Sequence, residues 1–324
     1  MISRRGCGLG AVLGALLLVV VFLVLHGWYG SGPLPKDGTF IVPNGASLST
    51  VADRLEQKGL VRSARGFYLR ARVFGAGRDI KAGEFAIPAH ASASRVLSII
   101  TSDDVIRRFV TVPEGMPAIM VYERLNAQPQ LTGTVALASE GSILPDSYAY
   151  ERGESREAVL RRMQAAMSRT LAELWAKRDP GLVIKTPEQA IILASIVEKE
   201  TGKPSERRMV AGLYSNRLKQ GMLLQADPTI IYPITKGKPL GRRILQSEIQ
   251  AVNDYNTYTM VGLPKHPITN PGRDSIAAVL HPAKTDALYM VADGTGGHEF
   301  AATLEQHNRN VAKWFAIRRA RGEL

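Results

Sequence analysis

The chain has 324 residues, of which 45% are hydrophobic and only 6% aromatic, enough for about two domains with largely aliphatic cores. Its net charge of +12 points to anionic partners or a solvated basic surface. The sequence holds no zinc spacing, RRM signature or basic aromatic strip, which argues against nucleic acid. A single cysteine, Cys7, excludes an intrachain disulfide.

In chain order, Arg4 and Arg5 precede an uncharged run, Gly6 to Leu25. That run is about as long as a helix needs to cross a bilayer core. Trp28 and Tyr29 follow where an interfacial aromatic belt belongs, and the arginines place the N-terminus in the cytoplasm. A cleaved signal peptide is the competing reading. No small-x-small site follows the run, only His26-Gly27-Trp28-Tyr29, so a retained anchor is expected. Residues 1–29 thus read as a stub and membrane span, and residues 30–38, with Pro33 and Pro35, as a linker.

Residues 39–104 read as a small α+β module. The expected elements are a strand at Thr39–Val42, a Ser47-capped helix to Lys58, a helix at Ala64–Phe74, a strand at Ala82–Ile87 and a helix around Ser94–Thr101. Residues 105–324 read as a larger mixed α/β domain, giving an α+β chain overall. Val105–Val112 predicts a strand, Ser139–Tyr148 is turn-rich, and Arg156–Arg178 predicts a long amphipathic helix. Asp293–His298 lacks the Lys-Ser/Thr ending of a phosphate loop and reads as a hairpin turn. The histidines His266, His281, His298 and His307 have no metal-ligand spacing, so neither a metal nor a cofactor is expected.

The strongest local signal runs from Thr186 to Gly202. Thr186 suits a helix cap, Pro187 the first position and Gln189 a capping box, with Gly202 at the end. Ala190–Val197 is apolar all round and should be buried. Glu198 and Glu200 close that helix. Desolvation there would raise a carboxyl pKa, as a general acid working near neutrality requires. Solvated or ion-paired end residues are the plain alternative, and helix position does not choose between the two acids.

Ala194-Ser195-Ile196-Val197-Glu198-Lys199-Glu200-Thr201 resembles the signature of the endolytic murein transglycosylases, the YceG-like family. The likeness continues through Asn216-Arg217-Leu218, Leu224-Gln225-Ala226-Asp227-Pro228-Thr229-Ile230-Ile231-Tyr232, Tyr255-Asn256-Thr257-Tyr258, Gly262-Leu263-Pro264 and Pro267-Ile268-Thr269-Asn270-Pro271-Gly272. It reaches His281-Pro282-Ala283, Leu288–Gly294, Gly297-His298 and His307-Asn308. Upstream, Glu140-Gly141 with Leu144-Pro145-Asp146-Ser147-Tyr148 is similar to a further family element. Ala226, Lys265-His266 and Ser142 depart from the family pattern at positions expected on cleft walls.

The resemblance implies a lyase that cuts the MurNAc–GlcNAc bond of peptidoglycan glycan strands and leaves 1,6-anhydro ends. One glutamate serves as acid and then as base. Glu200-Thr201 is similar to the Glu-Ser pair of lysozyme-like transglycosylases, which selects Glu200, with Glu198 as alternative and Thr201 beside the sugar. Gln225, Asp227, Thr229, Tyr232, Tyr255, Asn256 and Tyr258 are candidate sugar contacts by residue type, and Glu140 and Asp146 are weaker ones. The resemblance also implies a LysM-like module at 39–104, anchorage in the bacterial inner membrane through residues 6–25 with the catalytic domain periplasmic, a role in ending glycan elongation, and peptidoglycan polymerases as partners. A non-catalytic peptidoglycan-binding scaffold and a conventional hydrolase are the competing readings.

Overall fold

The computed structural model describes residues 4–75 and 78–323, and side chains from Val12 onward. The side chains of Arg4, Arg5 and Cys7, on which the expected orientation partly rests, lie outside the described residues. The chain divides into two compact units, Met1–Arg108 and Phe109–Leu324.

The first unit opens with α1 (Arg4–Tyr29), whose stretch Val12–Tyr29 is long and apolar enough to cross a membrane. An antiparallel pair follows, β1 (Gly38–Val42) with β2 (Gly83–Ile87), registered so that Phe40 faces Phe85. Packed with it are α2 (Leu48–Gln57), α3 (Ala64–Phe74) and α4 (Ala93–Ile100). Each helix starts on a serine, Ser47, Ser63 or Ser92, whose hydroxyl accepts an N–H from the first turn, satisfying donors the helix leaves free. The core joins Phe40, Val51, Leu55, Phe67, Phe85, Val96 and Ile100.

Two expectations for this unit change. Trp28, expected in an aromatic belt, is 2% exposed and belongs to the module core, stacked on Phe74 at 5.7 Å. Residues 30–38 are irregular but strapped down. Gly32 N donates to His90 O, His90 N to Leu34 O, and Ala89 N to Asp37 Oδ1.

The second unit carries β3 (Arg108–Val112), α5 (Ala118–Asn126), β4 (Asp146–Tyr150), α6 (Arg156–Ala176), α7 (Pro187–Glu200), α8 (Arg207–Lys219), α9 (Asp227–Thr235), α10 (Gln246–Ile249) and α11 (Arg273–Leu280). It finishes with β5 (Tyr289–Ala292), β6 (His298–Ala301) and α12 (Leu304–Ala320). β3 pairs with β4, and β5 with β6 antiparallel. The expected strand from Val105 starts instead at Arg108, while Val105 makes an isolated bridge with Phe85. The turn-rich stretch ends in β4. Among the described residues the strands form only two-stranded ribbons, so α+β describes this unit better than α/β.

Helix α7 is the hub, packed against α6, α8, α9 and α11. Every residue from Ala190 to Val197 is buried, as an all-apolar helix demands. Its start differs in detail from a reciprocal capping box. Thr186 Oγ1 accepts from Gln189 N at 3.2 Å, but Gln189 Oε1 takes the N–H of Lys185 at 2.6 Å. Gly202 follows the helix end without adopting positive φ. Within Ala190–Val197 the polar residue is Ser195, which donates to Ile192 O at 2.7 Å and accepts from Ile268 N at 3.1 Å. That bond ties the segment 267–272 to the helix.

Candidate active site

The two glutamates at the end of α7 enter different surroundings. Glu198 is engaged: its Oε2 accepts from Gly272 N at 2.8 Å, and its Oε1 lies 3.8 Å from Arg207 Nη2. Arg207 also meets Glu114 at 2.7 Å and Asp274 at 3.3 Å. Asn270 completes this knot, donating to Met116 O at 2.9 Å and accepting from Ile143 N at 3.1 Å. Glu198 therefore belongs to the network that ties 114–116, 143 and 270–274 to α7.

Glu200 instead lines a cleft of about 430 Å³ together with Tyr214, Arg217, Gln225, Asp227, Tyr258 and Tyr289. Burial pushes its carboxyl up to about 7, and the Asp227 charge adds to that, while the Tyr214 hydroxyl and Arg217 pull it back. Its Oε1 is buried without a hydrogen-bond partner. A carboxyl in that state can hold a proton near neutral pH.

The cleft walls come from α8, α9 and the loops beside them. On α8, Tyr214 and Arg217 are one turn apart and both buried. Arg217 is fixed by carbonyls: Nε donates to Leu288 O at 2.6 Å, and Nη1 donates to Leu224 O at 2.9 Å and to Gln225 Oε1 at 3.3 Å. This positions a buried cation beside the acid. Gln225 adopts left-handed backbone, φ 51°, a strained choice for a side-chain-bearing residue. It turns the chain so that Asp227 opens α9, and the Tyr258 hydroxyl donates to Asp227 Oδ1 at 2.6 Å.

The expected site residues thus separate. Glu200, Gln225, Asp227 and Tyr258 line one cleft. Thr229 and Asn256 are fully buried and bonded internally. Thr229 Oγ1 donates to Ala226 O at 2.6 Å, and Asn256 Nδ2 donates to the carbonyls of Ile249 and Ala251 at 2.9 and 2.7 Å. They scaffold the walls. The same holds for Ala226, a buried position whose N–H meets Thr257 Oγ1 at 3.0 Å. Thr201 is also buried, and its hydroxyl accepts from Lys203 N at 3.1 Å, within the turn after α7. The hydroxyl that selected Glu200 by resemblance is therefore committed to the backbone.

Tyr232 and Tyr255 pack 4.9 Å apart, in electrostatic reach of Glu140. Both Glu140 oxygens accept from Ala118 N at 3.0 Å, capping α5, whose N-cap residue Pro117 has no side-chain cap to give. Burial raises the Glu140 carboxyl to about 7 against that bond. Gly141 has φ 75°, and a Cβ there would stand 2.5 Å from Ile191 and 2.7 Å from Pro267, so only glycine fits. Asp146 is exposed, with Oδ1 accepting from Ser147 N at 2.7 Å. Tyr232, Tyr255, Glu140 and Asp146 are not among the residues lining the Glu200 cleft.

Sequence reasoning did not assign Tyr214, Arg217, Tyr289, His298 or His307 to the site, yet they also line the cleft. The available signal was Tyr214 and Arg217 at helical spacing on an otherwise buried face of α8.

The model of the YceG-like family matches residues 40–313. The endolytic murein transglycosylase of Bacillus subtilis (strain 168) is 25% identical over 336 aligned positions, covering 92% of this chain and 92% of that protein. The protein of that name from Streptococcus pneumoniae serotype 2 (strain D39 / NCTC 7466) is 26% identical, covering 84% of this chain but 57% of its own length. A crystal structure of a yceG-like protein from Listeria monocytogenes shares the fold, with TM-score 0.54 at 23% identity, covering 85% of this chain and 98% of that one. With the family model matching most of its length, the chain belongs to the YceG-like family.

Proposed function

We propose that the protein is an endolytic murein transglycosylase with Glu200 as its acid and base. One observation carries the reading: a desolvated carboxyl at about 7, with a free buried oxygen, in a cleft walled by Tyr214, Arg217, Asp227 and Tyr258. The names of the Bacillus and Streptococcus relatives support it.

In this mechanism protonated Glu200 gives its proton to the oxygen linking MurNAc to GlcNAc, and that bond breaks. The carboxylate so formed takes the proton of the MurNAc C6 hydroxyl, whose oxygen closes on C1. Atoms balance without water, and Glu200 ends protonated for the next cycle. Arg217 steadies the carboxylate between the two steps, which is the point at which its charge helps. The Tyr258–Asp227 pair and Gln225 offer hydroxyl, carboxylate and amide groups to sugar hydroxyls.

Asp227 favours a second reading. A second carboxylate beside the acid is the arrangement of ordinary glycoside hydrolysis. Digesting glycan strands with the full-length protein in detergent and weighing the products separates the readings. Fragments one water lighter than hydrolytic ones support transglycosylation. Reducing ends mean hydrolysis, and intact strands mean a scaffold.

The remaining parts of the proposal follow the same family reading. Helix α1 spans the bacterial inner membrane with its N-terminus cytoplasmic, and the catalytic unit is periplasmic. The module at 39–104 is LysM-like and holds glycan. Cleavage ends the growth of nascent strands beside peptidoglycan polymerases.

A further inference from the structure

Helix α3 has a composition that neither catalysis nor core packing explains. Between Leu60 and Arg78 the chain has five arginines and no acid. Arg65, Leu69, Arg72 and Val73 are exposed together on α3, with Leu69 at 53% and Val73 at 72%. Their spacing of four, seven and eight residues puts them on one helix face. Among the described residues, no carboxylate pairs with Arg62, Arg65, Arg70 or Arg72; their recorded partners are neutral. Arg62 Nη2 donates to Ser31 O at 3.3 Å, Arg70 Nε to Val24 O at 3.2 Å, and Arg72 Nη1 to Tyr68 Oη at 3.2 Å.

This helix is fixed to the end of α1. Trp28, in the last turn of α1, packs against Phe67 and Phe74 of α3. Gly27 and Gly66 make room for Arg70 between the helices, since a Cβ on either would stand 2.6 or 2.8 Å from its guanidinium. A cavity of about 210 Å³ opens beside it, lined by His26, Ser31, Arg62, Phe67 and Arg70. Unneutralised arginines around paired apolar residues, where a membrane span ends, make an amphipathic surface suited to an anionic leaflet.

We propose that α3 lies in the membrane interface and binds anionic phospholipid, with Leu69 and Val73 entering the acyl boundary. Arg65 and Arg72 meet headgroup phosphates, and Arg62 and Arg70 hold one in the cavity at the foot of α1. The proposal rests on the reading of α1 as a membrane span. Its consequence is that the first unit is held against the bilayer by a second, charge-dependent contact.

The test uses the full-length chain in nanodiscs, with Cys7→Ser and an environment-sensitive label on Val73→Cys. Discs contain either phosphatidylcholine alone or phosphatidylcholine with phosphatidylglycerol, each with a doxyl-lipid quencher. The proposal predicts strong quenching by lipid in the anionic discs. Replacing Arg62, Arg65 and Arg72 together by Gln should cut partitioning of the face by on the order of a hundredfold, at roughly fivefold per arginine. A label equally open to aqueous iodide in both discs, or quenching unchanged by the three substitutions, overturns it. A parallel label on Leu18→Cys must read hydrocarbon depth in both discs; if it does not, the span reading falls and takes the proposal with it. Cleavage of soluble glycan is measured on the same samples. An inactive chain that still shows the anionic contact counts against the enzyme reading alone.

Discussion

The last turn of α7 points two glutamates into two regions with opposite chemistry. On one side Glu198 meets Arg207 and the Gly272 N–H. It faces an arginine and links the loops to the helix. On the other side Glu200 meets burial, the Asp227 charge and an unpartnered oxygen, and its charge is opposed. Two positions along one helix separate a structural carboxylate from a carboxyl suited to move protons. The contrast shows that an acid's role is set by what it faces, and that the surrounding loops decide this.

Exchanging each acid for its amide breaks the contrast most sharply. Glu200→Gln should lower cleavage by about 10²–10⁴-fold, the usual contribution of general acid–base catalysis, with circular dichroism and melting unchanged or improved. Glu198→Gln should do the reverse. It weakens the bonds to Gly272 and Arg207 and costs about 1–3 kcal/mol by denaturant titration, with activity kept at temperatures where the protein is folded.

A third prediction concerns pH and stability. Glu200 and Glu140 are raised to about 7 in the folded protein, each chiefly by burial. Their folded state binds protons more tightly than the unfolded chain does, so stability is greatest in acid and declines as pH rises from the ordinary carboxyl value towards 7. Each group contributes at most roughly 3 kcal/mol to that decline. Melting curves between pH 5 and 8 check this, and Glu200→Gln should flatten them. A smaller effect is expected for Glu140→Ala, which removes the α5 cap at a cost of about 1 kcal/mol and leaves the Glu200 cleft in place. Loss of cleavage by that variant while fully folded would extend the site to Glu140.

Much of this was legible in the sequence where local rules apply. The apolar run 190–197 announced a buried helix, Ser47 announced the start of α2, and the residues around Asp293–His298 a hairpin. Helices α8 and α9 went unread because their periodicity is broken by buried polar side chains, Arg217 and Thr229, whose partners lie on distant loops. Asp227-Pro228, readable as a turn, opens α9 because proline is acceptable in a first helical turn. The proposal of Glu200 rests on different grounds in the sequence and in the fold. Thr201, the residue that suggested it, is spent on its own turn, whereas Asp227 and Arg217 reach Glu200 only through the fold. Thr229 and Asn256 looked like sugar ligands because residue type does not reveal burial.

The central claim is that desolvation at the end of α7 makes Glu200 a neutral acid near pH 7. Measuring kcat/KM for anhydro-end formation by the full-length protein from pH 5 to 9 tests it most directly. The account predicts a rate that falls tenfold per pH unit above about 7. A fall that begins instead near the ordinary carboxyl value of 4.5, or no fall at all, would contradict it.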